Sequence, residues 1–153
     1  AMAGMADAPG SPENDQRMME RIQAYGIDRD CASFADDPAN NLAAPGEMGR
    51  LLGRLCRGEI IDAEASVGMV EMLGLAANRD MIPRYLDPGV DIAHKFGSSG
   101  RIKADVGIVY LPGGPLVVSA FALAAAAADG AAAIAELTRL AVGALAPASV
   151  KEG

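Results

Sequence analysis

The sequence predicts an α+β fold in which three helices precede a three-stranded antiparallel sheet and a fourth helix closes the chain. Three observations lead there. Apolar residues recur at helical spacing up to Asn78, turn signals separate short β-branched runs after Arg79, and the helical period returns beyond Asp129-Gly130.

Ser11-Pro12 reads as an N-cap followed by a first helical position, and Met18, Ile22 and Tyr25 follow at i, i+4 and i+7 before Gly26. The first helix is therefore expected over 12–25. From Gly26 to Ala44 the chain is rich in Asp, Asn and Pro without apolar period, the composition of a long irregular connection. Pro45 opens a second helix, ending at Gly58, whose Met48, Leu51, Leu52, Leu55 and Cys56 form a buried stripe. A third, from Asp62 to Asn78, carries Met69, Met72, Leu73 and Ala76. Methionine at that spacing fills a core; it does not mark a cofactor site.

Ile82-Pro83, Asp87-Pro88-Gly89 and Gly97-Ser98-Ser99-Gly100 are turn signals, and strands are expected over 90–96, 102–111 and 115–123. Pro112-Gly113-Gly114 joins the last two as a hairpin. The closing helix, over 130–145, presents Ile134, Leu137, Ala141 and Leu145 to the sheet. No internal repeat is visible.

At 153 residues the chain has the length of one ordinary domain. Residues 1–11 read as a flexible arm or expression scar, 12–147 as the domain and 148–153 as a flexible tail. Apolar residues are 51% but aromatic residues only 4%, so Leu, Ile, Val and 8 Met must supply the core volume. The net charge of −7 disfavours nucleic acid and acidic membrane surfaces as partners. Arg50, Arg54 and Arg57 are the solvated face of a helix. Cys31 and Cys56 are too few for a disulfide framework and read as free thiols. The first ten residues have no basic n-region or apolar run, so no signal peptide is expected, and the Ala-rich run 120–128 is too short to span a bilayer. A soluble chain of open localisation is expected.

Three strands cannot bury two faces unaided. An uncovered face and an unpaired edge are expected to be removed by pairing with a second copy, which makes a homodimer the expected assembly.

Particular words in this order carry a resemblance. Asn41-Leu42-Ala43-Ala44-Pro45-Gly46-Glu47-Met48-Gly49-Arg50-Leu51-Leu52 is followed by Asn78-Arg79-Asp80-Met81-Ile82-Pro83-Arg84 and by Val90-Asp91-Ile92-Ala93-His94-Lys95. Residues 17 to about 146 resemble the second half of class A β-lactamase-like and penicillin-binding serine hydrolases. The resemblance implies a partial β-lactamase-like fold. It also implies that Lys95 and Gly97 match the family's Lys-Thr-Gly strand, where Lys contacts a substrate carboxylate and Gly admits close backbone approach. Phe96 replaces the Thr and places a ring where a hydroxyl is expected; Ser98 and Ser99 are the candidates to replace it.

The family's nucleophile lies in Ser-x-x-Lys, and no serine of this chain has Lys three positions on. The Ser-Asp-Asn motif has only the degenerate Glu13-Asn14-Asp15 as counterpart. Residues 21–46 contain no Glu to activate a deacylating water, leaving Asp36 and Asp37.

The candidate catalytic residues are Lys95, His94, Ser98 and Ser99, with Gly97, Phe96 and Arg101 as candidate substrate contacts. His94 is the sole His, and alternation in a strand turns it away from Lys95, so a structural role weighs more than catalysis. A divalent metal such as zinc would need His94 and Asp91 with help from elsewhere, and a symmetric dimer would supply a second His94. Two functions are carried forward. One is a minimal promiscuous hydrolase of activated esters or phosphoesters acting on a small molecule, with metal assistance as an option. The other is an inactive pseudoenzyme or one half of a split serine hydrolase.

Overall fold

Local capping fixes three of the four helices. The computed structural model describes residues 10–26, 42–99 and 101–151. Ser11 Oγ accepts from the backbone N–H of Asn14 at 3.2 Å and starts helix α1, Pro12–Tyr25. The Glu47 carboxylate accepts from Ala44 N–H at 2.7 Å and starts α2, Pro45–Cys56. Asp62 Oδ1 accepts from Ala65 N–H at 2.7 Å and starts α3, Ala63–Gly74. These contacts satisfy amide donors that the first helical turn leaves without an internal partner. Helix α3 stops at Gly74, four residues short of the sequence expectation, and Met72 points to solvent while Met69 and Leu73 pack inward.

Strands β1, Ile92–Ser99, β2, Ile102–Leu111, and β3, Gly114–Leu123, form one antiparallel sheet in the order β1-β2-β3. The hairpin between β2 and β3 is tight, with Leu111 opposite Gly114. The Gly97-Ser98-Ser99-Gly100 turn reading is corrected. Ser99 still pairs with Ile102, so β1 runs through the Gly-Ser-Ser segment. Helix α4, Ala127–Leu145, begins inside the alanine run and not at Gly130, because alanine is the strongest helix former.

Register assigns every sheet residue to a face. Val109 and Leu111 of β2, with Val118 and Ala120 of β3, join Ile134 and Val142 of α4, Met81, Ile82 and Leu86 in one core cluster. Val106 and Ile108 of β2 join Leu52 and Leu55 of α2 in a second. Helix α4 lies over β2 and β3 on the first face; on the other, α2 packs on β2 and β3, and α3 on β1. Both faces are thus covered from within the chain, which removes one of the two reasons for expecting a dimer. The edges of β1 and β3 remain unpaired among the described residues.

The residues group as two units, Ala1–Leu42 and Ala43–Gly153, where the sequence reading drew one domain over 12–147. No residue of α1 is buried. The expected tail at 148–153 is corrected as well. Asp87 N–H donates to Ser149 O at 2.9 Å, Lys151 N–H donates to Tyr85 O at 3.0 Å, and Leu86 bridges Val150, so backbone bonds hold the chain to Lys151. The expected arm up to residue 9, most of the long connection, Cys31, Asp36 and Asp37 lie outside the described residues. Cys56 is a free thiol. Among the described residues no helix is long and apolar enough to cross a membrane.

Candidate functional site

Strand β1 sends alternate side chains to the two faces of the sheet, and this divides the candidate residues. Ile92, His94, Phe96 and Ser98 fall on the α4 face. Ala93, Lys95, Gly97 and Ser99 fall on the face covered by α2 and α3.

His94 is 2% exposed, and its Nδ1 lies 2.9 Å from Asp105 Oδ1 on the neighbouring strand. Asp105 is fully buried, and its Oδ2 accepts from the backbone N–H of Ile82 at 3.0 Å. An ionised carboxylate can only accept, so Nδ1 carries the proton and donates to Oδ1. The carboxylate thereby joins β1, β2 and the 81–86 turn at one point. Gly107 sits directly opposite His94, and a Cβ built on Gly107 would lie 2.6 Å from His94 Cβ and 3.0 Å from Ala93 O, so only glycine lets β1 and β2 approach this closely. His94 Nε2 is buried without a hydrogen-bond partner among the described residues.

On the other face Lys95 is exposed. Its Nζ donates to Phe96 O at 2.7 Å and lies 5.0 Å from the centre of the Phe96 ring. No carboxylate among the described residues pairs with it. The Phe96 ring itself packs against the α4-side core. The expected intrusion of that ring is therefore corrected: it serves the core and offers its face to the Lys95 ammonium. A Cβ on Gly97 would meet nothing within 4 Å, so the backbone next to Lys95 is open to an approaching group. Ser99 shares this face. Ser98 does not, and its Oγ accepts from Lys103 Nζ on β2. Arg101 donates from Nε to Ala124 O at 2.8 Å, which ties down the end of the β1–β2 hairpin.

The four candidate catalytic residues are consequently not one cluster. Lys95 and Ser99 lie on one side, His94 and Ser98 on the other. The pairing of His94 with Asp91 as metal ligands is not formed either: His94 is buried against Asp105, whereas Asp91 is exposed ahead of β1. Among the described residues no group of three or more His, Cys, Asp or Glu could hold a metal ion.

Sequence reading missed Asp105, the partner that determines the role of His94. The available signal was a lone carboxylate inside the apolar run Val106-Gly107-Ile108-Val109 and its approach, together with a glycine in mid-strand.

Residues 12–145 match the Beta-lactamase enzyme family. The chain belongs to that family. Its fold is shared with solved structures. A β-lactamase from Sphaerobacter thermophilus is 29% identical with a TM-score of 0.67, the match covering 74% of this chain and 44% of that one. PBP-A is 22% identical with a TM-score of 0.63, over 89% of this chain and 51% of PBP-A. An ancestral class A β-lactamase is 22% identical with a TM-score of 0.63, over 93% and 58%. This β-lactamase family member therefore spans about half the length of the structures it matches. No curated protein matches it.

Proposed function

We propose that this chain supplies the substrate-binding half of a serine acyl-transfer site, with the attacking serine carried by the other half of the fold. What supports the reading is the Lys95 face of β1. There Lys95, which no described carboxylate pairs, precedes by two positions a glycine whose backbone is open, and the two match Lys and Gly of the family's Lys-Thr-Gly strand. The absence of any Ser-x-x-Lys sequence means that these residues bind and polarise but do not attack. In this role Lys95 draws in the carboxylate of the substrate, and Gly97 lets the acyl group lie against the strand. The substrate class is a small carboxylate-bearing acyl donor such as a β-lactam.

The test is complementation. The chain alone should leave nitrocefin intact, hydrolysis should appear when a Ser-x-x-Lys half of a family member is added, and Lys95→Ala should remove most of it. Complementation at full rate by Lys95→Ala would overturn the assignment. The alternative of a self-contained promiscuous esterase or phosphoesterase has less support, because His94 and Ser98 lie across the sheet from Lys95 and Ser99. Turnover of p-nitrophenyl esters or phosphates by the chain alone, lost in a Lys95→Ala, His94→Ala double variant and sensitive to chelator, would favour it instead.

A further inference from the structure

The seam between α2, α3 and the end of β2 is not filled by side chains. A pocket of about 170 Å³ opens there. Leu55 of α2 with Val67 and Val70 of α3 gives it an apolar lining, while Cys56, Glu71 and Tyr110 bring a thiol, a carboxylate and a phenol to its wall. Val67 is 57% exposed, an apolar side chain that gains by being covered. An apolar cavity of about 150 Å³ takes up benzene, so this one has room for a six-membered ring with a short substituent. The pocket is separate from the site on β1. Val106, the register partner of Lys95, lies four positions before Tyr110 on β2, about 13 Å along the strand.

One wall is fixed in advance. Ser66 Oγ accepts from Ile60 N–H at 3.2 Å and donates its single hydrogen to Ile60 O at 2.9 Å or Asp62 O at 2.8 Å. Those bonds hold the connection from α2 to α3, in which Gly58 and Ile61 both take left-handed φ values, 73° and 60°. A wall ordered before a ligand arrives reduces the entropy lost on binding. The electrostatics favour a cation. Glu71 has no ion-pair partner among the described residues, and no basic residue lines the pocket. Leu55 and Cys56 are the last residues of α2, whose C-terminal end carries partial negative charge. The neighbouring cations are already engaged: Arg57 donates to the Glu59 carboxylate at 2.8 and 2.9 Å, and Arg54 donates to Glu59 O at 3.2 Å. The Tyr110 ring adds a face that attracts cations, and the net charge of −7 draws them to the chain as a whole.

We infer that this pocket binds a small organic cation of the arylalkylamine class, its single aromatic ring packed on Leu55, Val67 and Val70 and its ammonium paired with the Glu71 carboxylate. The ring supplies the burial and the ammonium the selectivity, the division usual in small-molecule sites. Glu71 is exposed, so its ion pair is worth little, and a ligand of so few atoms is expected to bind with a Kd of about 1 mM. The charge it selects is opposite to that of the carboxylate proposed for Lys95. The two sites therefore take different molecules, and the pocket stands whether or not Lys95 serves acyl transfer.

The experiment titrates the full chain with benzylamine, with its neutral counterpart benzyl alcohol and with benzoate, following amide shifts by NMR. In parallel, alkylation of Cys56 by iodoacetamide at neutral pH is read by peptide mass spectrometry, since the half-buried thiol in the wall is shielded by a bound ligand. Benzylamine should bind saturably, slow the alkylation and bind about three- to fivefold more tightly than benzyl alcohol, with benzoate weakest. Glu71→Gln should bring benzylamine to the affinity of benzyl alcohol and leave the alcohol unchanged. Val67→Phe, which puts a ring of the protein's own at the pocket, should weaken both. Both substitutions fall at exposed positions, so native circular dichroism is expected of each variant. Equal affinity of wild type for amine and alcohol would overturn the choice of a cation. Absence of saturable binding, or affinities unmoved by Val67→Phe in a natively folded chain, would overturn the site. Slower Cys56 alkylation on raising the protein concentration alone, with self-association in sedimentation, would make the occupant a second copy and overturn the inference.

Discussion

Replacing Asp105 by alanine tests the buried pair directly. The carboxylate accepts from Ile82 N–H at 3.0 Å and from His94 Nδ1 at 2.9 Å, and all three groups are shielded from water. Truncation leaves two buried donors without acceptors, at about 1–3 kcal/mol each. Breaking a buried pair by removing one partner costs about 3–5 kcal/mol, and the two figures overlap at that range. Against a total stability of about 5–15 kcal/mol this is a large fraction. Urea unfolding followed by circular dichroism should show the loss as a lower midpoint with an unchanged slope. Asp105→Asn keeps one acceptor oxygen for two donors and should lose roughly half as much. In the double-mutant cycle, His94→Ala combined with Asp105→Ala should cost less than the sum, with a coupling of about 1–3 kcal/mol. A cost below about 1 kcal/mol for Asp105→Ala, with native spectra, would refute the assignment of His94 to structure and reopen it as a catalytic candidate.

Gly107→Ala forces a Cβ to within 2.6 Å of His94 Cβ and 3.0 Å of Ala93 O, so β1 and β2 must separate locally; a loss of about 1–3 kcal/mol is expected in the same urea assay. Ser119→Ala removes the hydroxyl that donates to Pro45 O at 2.7 Å and anchors the start of α2 on β3, and should cost about 1 kcal/mol in thermal unfolding. The Tyr110 phenol is held above the ordinary tyrosine range by burial, with smaller contributions from Cys56 and Asp91. The unfolded chain therefore releases this proton first, and the stability it contributes is present below the ordinary tyrosine range and lost as pH rises through the raised value. Alkaline unfolding midpoints of wild type and Tyr110→Phe should diverge only in that window, and parallel curves would count against the raised value.

How much of this was readable from residues alone follows from what one-dimensional patterns contain. The bounds of β2 and α1 match those expected, since alternation and an N-cap followed by proline are local signals. The Gly-Ser-Ser-Gly segment misled because its composition is that of a turn, whereas Ser98 and Ser99 pair with Lys103 and Ile102. The end of the chain misled for the opposite reason: Pro147-Ala148-Ser149-Val150 has no period, yet its amides and carbonyls find partners near Leu86. Alternation did separate His94 from Lys95. It could not supply Asp105, eleven positions away, because only the β1–β2 register makes the two side chains neighbours.

On the proposed reading of Lys95 and Gly97, that register divides β1 into a supporting face and a binding face. One face of β1 is fixed by a carboxylate that joins it to β2 and to the 81–86 turn. The other face presents Lys95 beside the open Gly97 backbone. On that reading, rigidity on the first face serves the second, since electrostatic stabilisation of a reacting acyl group requires donors that need not reorganise when charge develops. The two faces can then be separated by experiment. Asp105→Ala should reduce both stability and nitrocefin hydrolysis in the complemented assay, because the supporting face loosens. Lys95→Ala, on an exposed side chain, should remove most of the hydrolysis with a stability within about 0.5 kcal/mol of wild type. Equal losses of stability in the two variants would mean that β1 does not divide support from binding.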